Sequence, residues 1–336
     1  MRLPPIQARE IRFGFLRAEF IVYHFIIVPL VAFLPAYFAY GVAIRRGDFR
    51  CWLDKSSREE ITYVLERVLG GQLSPEERTR VVRDFFRLRS CETVDAMRLA
   101  GSGRSLARLV KMRGLEHIEA ALAAGKGAIL CSAHFGSVNC SFSLLGSLGF
   151  PVTLVARWSY EDDHSFPILR FFDRLERNKP VVHHLDHPNI RRGNFGVAVE
   201  AANVLRRDEL IVILLDHIVT AADRAQPVEI DFLNGQASML PGVITIAQIT
   251  GAPVLISFMR RAADWRHQVL EISPPMPVEG DTVTAFRRCL AVVDAAIRRD
   301  PAHWRPWKLS HLVKMGLLPA EGTRFPVQSE EESIRV

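Results

Sequence analysis

Apolar and polar positions divide the chain into stretches of different character. Phe20 to Ile44 reads "FIVYHFIIVPLVAFLPAYFAYGVAI", 25 residues without Asp, Glu, Lys or Arg. About 20 apolar residues suffice to cross a bilayer. Pro29 and Pro35 would kink such a helix. Two forms are therefore expected: a spanning helix, or a bent hairpin lying in the interface with both ends cytosolic. The alternative is a buried core helix. Arg2, Arg9, Arg12 and Arg17 precede the run, and Arg45, Arg46 and Arg50 follow it. Arginines on both sides give no orientation but suit an anionic leaflet. The run is too long for a cleaved signal peptide and has no small-residue cleavage site.

Next, "SPEERTRVVRDFFRLRSCETVDAMRL" carries a helix start. Ser74 is a good N-cap, Pro75 fits the first helical position and Glu77 completes a capping box. Val81, Val82, Phe85, Phe86 and Leu88 recur at helical period among basic residues. This predicts a basic amphipathic helix, packed on the core with a solvated face, or lying on a membrane or partner.

From residue 115 short apolar runs alternate with helical stretches. Strands are predicted over 127–133, 151–157, 210–216 and 252–260, and helices over 115–125, 141–149, 198–208 and 240–251. Continuous apolar strands covered by helices predict an α/β fold with a mostly parallel central sheet. The expected organisation is an N-terminal membrane anchor over 1–50, a helical segment over 51–113, an α/β domain over 114–318 and a polar, fraying tail over 319–336.

The 336 residues are 49% hydrophobic, enough for a sizeable core, and carry a formal net charge of +6. Such a charge serves anionic membrane, acidic ligands or nucleic acid. The aromatics do not interleave with arginines as an RNA-binding platform would, so nucleic acid is not an expected partner. Cys51, Cys91, Cys131, Cys140 and Cys289 are scattered and odd in number, which reads as reduced thiols on the cytosolic side. No Gly-rich phosphate loop and no GxSxG elbow is present, which counts against a nucleotide enzyme and an α/β-hydrolase.

In open α/β sheets the chemistry lies at the carboxyl ends of strands. His134, Arg157 and Asp216 stand at or just past such ends. In "CSAHFGSVNC" His134 follows a strand, Phe135 and Gly136 make the turn, and Asn139 falls in the first turn of the next helix. A partner on that helix could hold Nδ1 and leave Nε2 to take a proton. The bland reading is a histidine that packs at a strand end. Ser137 reads as a helix-start residue and Cys140 as packing. "HHLDH" at 183–187 reads as a solvated loop rather than a metal site.

The segment "HFGSVN" resembles the signature of the lysophospholipid acyltransferase-like superfamily, a histidine, four residues and an acid. It is most similar to the branch of bacterial lipid A late acyltransferases and mycobacterial phosphatidylinositol mannoside acyltransferases, with Asn139 where the branch has its acid. "GLEHIEAALAAGKGAILCSAHFG", "VARWSYEDDHSFPILRFFDRLERNK", "VLRRDELIVILLDH", "VEIDFLNGQASMLPGVITIAQITGAPVLISFMRR" and "HWRPWK" resemble further blocks of that branch in order and spacing. The resemblance implies a glycerolipid acyltransferase-like fold at the cytoplasmic side of the inner membrane. It also implies transfer of an acyl group from an acyl carrier protein or coenzyme A thioester to a hydroxyl or amine of a lipid-like acceptor. The thioester is a co-substrate, and neither metal nor cofactor is implied.

By this resemblance His134 is the general base, Arg157 meets phosphate or developing negative charge, Asp216 closes a strand-end triplet and Gly235 precedes the helix near Leu240. For Gly235 a plain turn is the alternative. Asn139 either orients His134 in the acid's place, or leaves that role to Asp216, Asp162 or Asp163, or marks a site that only binds. The rival functions are a non-catalytic lipid- or carrier-binding protein on the same scaffold, and a transferase acting on a small specialised metabolite.

Overall fold

The N-terminal apolar run does not make one straight helix. In the computed structural model, which describes residues 14, 18–32, 34–101, 106–155, 182–184, 194–219 and 226–320, a π-helical turn over Tyr23–Ile27 leads into a helical turn over Val28–Val31. Helix α1, Ala36–Leu53, begins beyond Pro35, whose ψ of 142° is not helical. The path is therefore bent at the proline, which lacks the donor a continuous helix needs. Among the described residues no helix is long and apolar enough to cross a membrane, which corrects the expectation of a spanning helix over Phe20–Ile44.

This bent path has two unlike sides. Tyr23, Val28 and Ala32 pack with Met97, and Ala39, Tyr40 and Ala43 pack with Cys91 and Val94. On the other side Ile26, Leu30, Tyr37, Phe38 and Trp52 stand exposed.

Helix α2, Lys55–Leu69, is capped by Asp54, whose carboxylate accepts from the Ser57 amide at 3.2 Å. Helix α3, Pro75–Gly101, starts with the expected capping box: the Glu77 amide donates to Ser74 Oγ at 3.2 Å, and the Ser74 amide to Glu77 Oε2 at 2.9 Å. Its apolar stripe, Val81, Val82, Phe85, Phe86 and Leu88, joins a core cluster with Ile129, Cys131 and Ile211 of the sheet. The expected amphipathic helix is thus a packed one. It lies against α1 closely enough that a Cβ on Gly47 would come within 2.5 Å of the Arg87 backbone.

Strand β1, Val110–Arg113, precedes helix α4, Leu115–Ala123. Then follow β2, Ala128–Ser132; α5, Val138–Ser147; β3, Val152–Val155; β4, Val182–His184; α6, Asn194–Leu205; and β5, Leu210–Leu214. A hairpin of β6, Val228–Phe232, and β7, Gly235–Met239, leads into α7, Gly242–Thr250, and β8, Val254–Arg261. Strand β9, Gln268–Ile272, and helices α8, Thr282–Arg299, and α9, Leu309–Lys314, complete the order. Residues 321–336, most of the expected tail, lie outside the described residues.

Seven strands form one sheet in the order β1-β9-β8-β2-β5-β3-β4, and β6 and β7 pair separately. Every neighbouring pair in the sheet is parallel except β8 with β9. The expected α/β class and mostly parallel sheet are present. Strand β2 is buried at all five positions, as a central strand covered on both faces must be. Its neighbour β5 runs parallel with Ser132 opposite Leu214, and that register fixes what meets beyond the strand ends.

Candidate active site

Two residues past Ser132 is His134, and two past Leu214 is Asp216, so the β2–β5 register carries both to the same carboxyl edge. The Leu215 amide donates to Ser132 O at 2.8 Å and keeps the two chains together past the last ladder rung. The His134 amide donates to both Asp216 oxygens, at 3.1 and 2.9 Å. Nδ1 of the same histidine lies 2.9 Å from Asp216 Oδ1. The Trp304 indole N–H donates to Oδ2 at 2.8 Å.

Asp216 is fully buried, whereas the His134 side chain is 36% exposed. Burial raises the Asp216 carboxyl; the His134 charge and the hydrogen bonds from His134 and Trp304 outweigh it and hold the carboxyl below the usual carboxylate range. An ionised Asp216 can only accept, so Nδ1 is assigned the ring proton. Nε2 is then the free acceptor nitrogen on the accessible side.

The loop that holds this histidine is tied down by the C-terminal stretch. Phe135 and Trp304 form an antiparallel bridge. The Gly136 amide donates to His303 O at 2.8 Å, and the Arg305 amide donates to His134 O at 2.8 Å. Phe135 stacks on the His303 ring at 5.2 Å and meets Phe258 edge-on. Gly136 has φ +57°, and a Cβ there would lie 2.0 Å from Met259 O. Only glycine fits so close an approach in the left-handed region.

The residues singled out from the sequence fare differently. His134 and Asp216 are brought into contact. Asn139 stands exposed in the first turn of α5, and the Nδ1 partner is Asp216. The expectation that Asn139 holds the ring is corrected on that ground: helix α5 leads away from the strand end, while β5 runs alongside it. Gly235 opens β7 in the hairpin turn, with Leu317 as the nearest contact a Cβ would make, at 3.2 Å. The hairpin reaches the site through Phe232, edge-on to Trp304 at 6.1 Å.

Arg157, Asp162 and Asp163 lie outside the described residues. Of "HHLDH", His183 and His184 fall in β4, and Asp186 and His187 lie outside the described residues. Cys140 is buried in the cluster on the other face of the sheet from α8. Ser137 occupies the N-cap of α5, but its hydroxyl donates to Asp95 Oδ2 at 2.6 Å rather than capping the helix.

With the geometry in place, the comparison with known proteins is direct. The family described as bacterial lipid A biosynthesis acyltransferase matches residues 8–308, from before α1 to the Trp304 stretch. The chain belongs to this family. Within the lipid A biosynthesis acyltransferase family, a Haemophilus influenzae protein named lipid A biosynthesis acyltransferase is similar: 26% identical over 205 residues, covering 60% of this chain. The match spans 59% of that relative's length. In this family member, then, the resemblance drawn from "HFGSVN" and the blocks around it holds at the level of the family.

Sequence reasoning passed over Asp95, Glu92 and the indole of Trp304. For the two acids the signal was weak, since a carboxylate on a basic amphipathic helix reads as part of its wet face. For Trp304 the block "HWRPWK" was visible, but nothing in the sequence joins it to Asp216, 88 residues earlier.

Proposed function

We propose that the protein transfers a fatty acyl group from an acyl thioester, on acyl carrier protein or coenzyme A, to a hydroxyl or amine of a lipid-like acceptor. The observation that carries this reading is the His134 imidazole, held through Nδ1 by buried Asp216 in a chain of the lipid A acyltransferase family. In this reading Nε2 takes the proton of the acceptor as its oxygen attacks the thioester carbonyl. The C–O bond forms and the C–S bond breaks. The proton then passes from Nε2 to the leaving thiolate. Asp216 stabilises the imidazolium formed between these steps, as the acid of a triad does. Arg157 is proposed to meet an anionic group of the substrate.

The proposed location is the cytoplasmic side of the inner membrane. The outward apolar side chains Ile26, Leu30, Tyr37, Phe38 and Trp52, with exposed Arg45 beside them, support an interfacial seat. A non-catalytic binding protein drew its strength from Asn139. The presence of a carboxylate on Nδ1 favours the enzyme over it.

The test compares lipids and small metabolites by mass spectrometry from cells with the gene, without it, and with His134→Ala. The expected result is one or more acylated products that appear with wild type alone. Identical profiles in all three strains would remove the transferase reading.

A further inference from the structure

Behind the site, away from the His134–Asp216 pair, lies a buried polar cluster centred on Asp95 of α3. Asp95 is fully buried. Its Oδ1 accepts from the Tyr40 hydroxyl at 2.6 Å, and its Oδ2 accepts from the Ser137 hydroxyl at 2.6 Å. The Arg261 guanidinium also donates to Oδ2, and its other arm donates to Trp265 O at 2.9 Å. The Arg261 side chain is 2% exposed and lies over the Tyr40 ring, 4.8 Å from its centre. Four elements converge on one carboxylate: α1 through Tyr40, α3, the start of α5 through Ser137, and the end of β8 through Arg261.

One helical turn before Asp95, Glu92 accepts from the Arg305 guanidinium at 2.7 Å. The amide of that same Arg305 is the donor to His134 O. Residues three apart lie on one side of a helix, so α3 grips both ends of the loop 134–137: directly at Ser137, and through Arg305 at His134. The Arg261 amide adds a third tie, donating at 3.0 Å to Nε2 of His303, whose carbonyl accepts from Gly136.

A buried ion pair is a poor device for stability, because the desolvation it demands roughly cancels the attraction; its better-attested value is in fixing one geometry. We propose that Asp95, with Glu92, is a positioning residue that sets the His134 loop in register with Asp216. It does so by holding the Ser137 hydroxyl and the Arg305 strap on a helix locked to α1. Tyr40 lies on the same helix as exposed Tyr37 and Phe38, so the outer apolar face and the loop share this one carboxylate.

The proposal rests on the reading of His134 as the base, and its test must separate the two. Replacing Asp95 would strand Arg261, so the informative variants remove hydroxyls and keep the ion pair: Ser137→Ala and Tyr40→Phe. The measurements are amide hydrogen exchange of the full chain in phospholipid micelles and the NMR resonance of the His134 Nδ1 proton, assigned by its loss in His134→Ala. In Ser137→Ala, exchange over 134–140 should quicken at least tenfold and the Nδ1 resonance should broaden or shift, while α8 exchanges as in wild type. Product formation in cells should fall about tenfold with the protein level unchanged. If Ser137→Ala does not fold, Tyr40→Phe carries the same expectation at about threefold. Unchanged loop exchange and an unchanged resonance in the folded variants would overturn the proposal. Exchange and resonance report on the loop whether or not His134→Ala abolishes the product, so failure of the base reading would be seen separately.

Discussion

Two positions are candidate partners for His134, an inner one on the neighbouring strand and an outer one on the next helix, and they are built on opposite principles. On the inner side Asp216 comes from the neighbouring strand, is fully buried and accepts from the His134 amide, the His134 ring and the Trp304 indole. On the outer side Asn139 comes from the next helix in sequence and stands exposed. The inner region spends its polar atoms on one another, in surroundings where a charge acts strongly. The outer region faces solvent, where a charge is screened. The contrast shows why an asparagine at position 139, where the resemblance of "HFGSVN" implies an acid, does not leave the histidine unpartnered. Sheet register supplies a carboxylate to Nδ1 from 82 residues away.

The largest expected effect comes from breaking the inner side. Asp216→Asn keeps the shape and removes the charge. An amide on Nδ1 can select the wrong tautomer and cannot offset an imidazolium; the equivalent change in serine-protease triads costs about four orders of magnitude. Product formation should therefore fall by roughly a thousandfold or more in a protein that still folds. Turnover within about tenfold of wild type, in the same lipid and metabolite assay, would take Asp216 out of the reaction.

The inner region should also make the fold acid-sensitive. Burial is the main cause that lowers the imidazoles of His303 and His311 to about 4, and at His311 the neighbouring His134 adds to it. Unfolded, both titrate near 6.5. Between these values the unfolded chain binds more protons than the folded one, so stability is full above pH 6.5 and is lost as pH falls toward 4. Each histidine can account for up to about 3 kcal/mol across that interval. Asp216 works in the same direction at lower pH, because its carboxyl is held down in the folded state. Thermal unfolding from pH 8 to 4 should give a flat Tm above about 6.5 and a steady fall below it. His311→Gln should shallow that fall; an unchanged slope would mean that His311 is not neutral in the fold.

How much of this could be read along the chain follows from what each element buries. The predicted strands over 127–133, 151–157, 210–216 and 252–260 contain β2, β3 and β5 and most of β8, because strands covered on both faces are continuous apolar runs. Strand β9 alternates buried and half-buried positions, and β1 is four residues at the sheet edge, so neither stands out. Helix α8 was findable: Asp281 before a periodic run is an N-cap signal, and its carboxylate does accept from the Thr284 amide at 2.8 Å. His134 and Asp216 were legible as strand-end residues, but their pairing was not, because it depends on β2 and β5 being neighbours. Asp95 was illegible for a related reason. Its helix reads as amphipathic with its charged positions on the solvated face, and only the packing of α1 and β8 around it shows a carboxylate enclosed by a tyrosine, a serine and an arginine.

The smallest expected effect is at the outer position. Asn139→Asp introduces the acid that the sequence resemblance implies at this position, yet the ring's Nδ1 is already taken by Asp216. An exposed charge in high dielectric contributes about 1 kcal/mol to a neighbour even at contact distance, and less beyond it. Activity should therefore stay within about threefold of wild type. Stability should rise by a few tenths of a kcal/mol, since an acid in the first turn of α5 complements the helix dipole. The double variant Asp216→Asn/Asn139→Asp makes the comparison decisive. If the two sides differ as their burial implies, the acid at 139 cannot replace the one at 216, and the double variant should be as inactive as Asp216→Asn alone. Recovery of product in the double variant would show that the first turn of α5 can reach Nδ1, and the inner and outer sides of His134 would then be interchangeable.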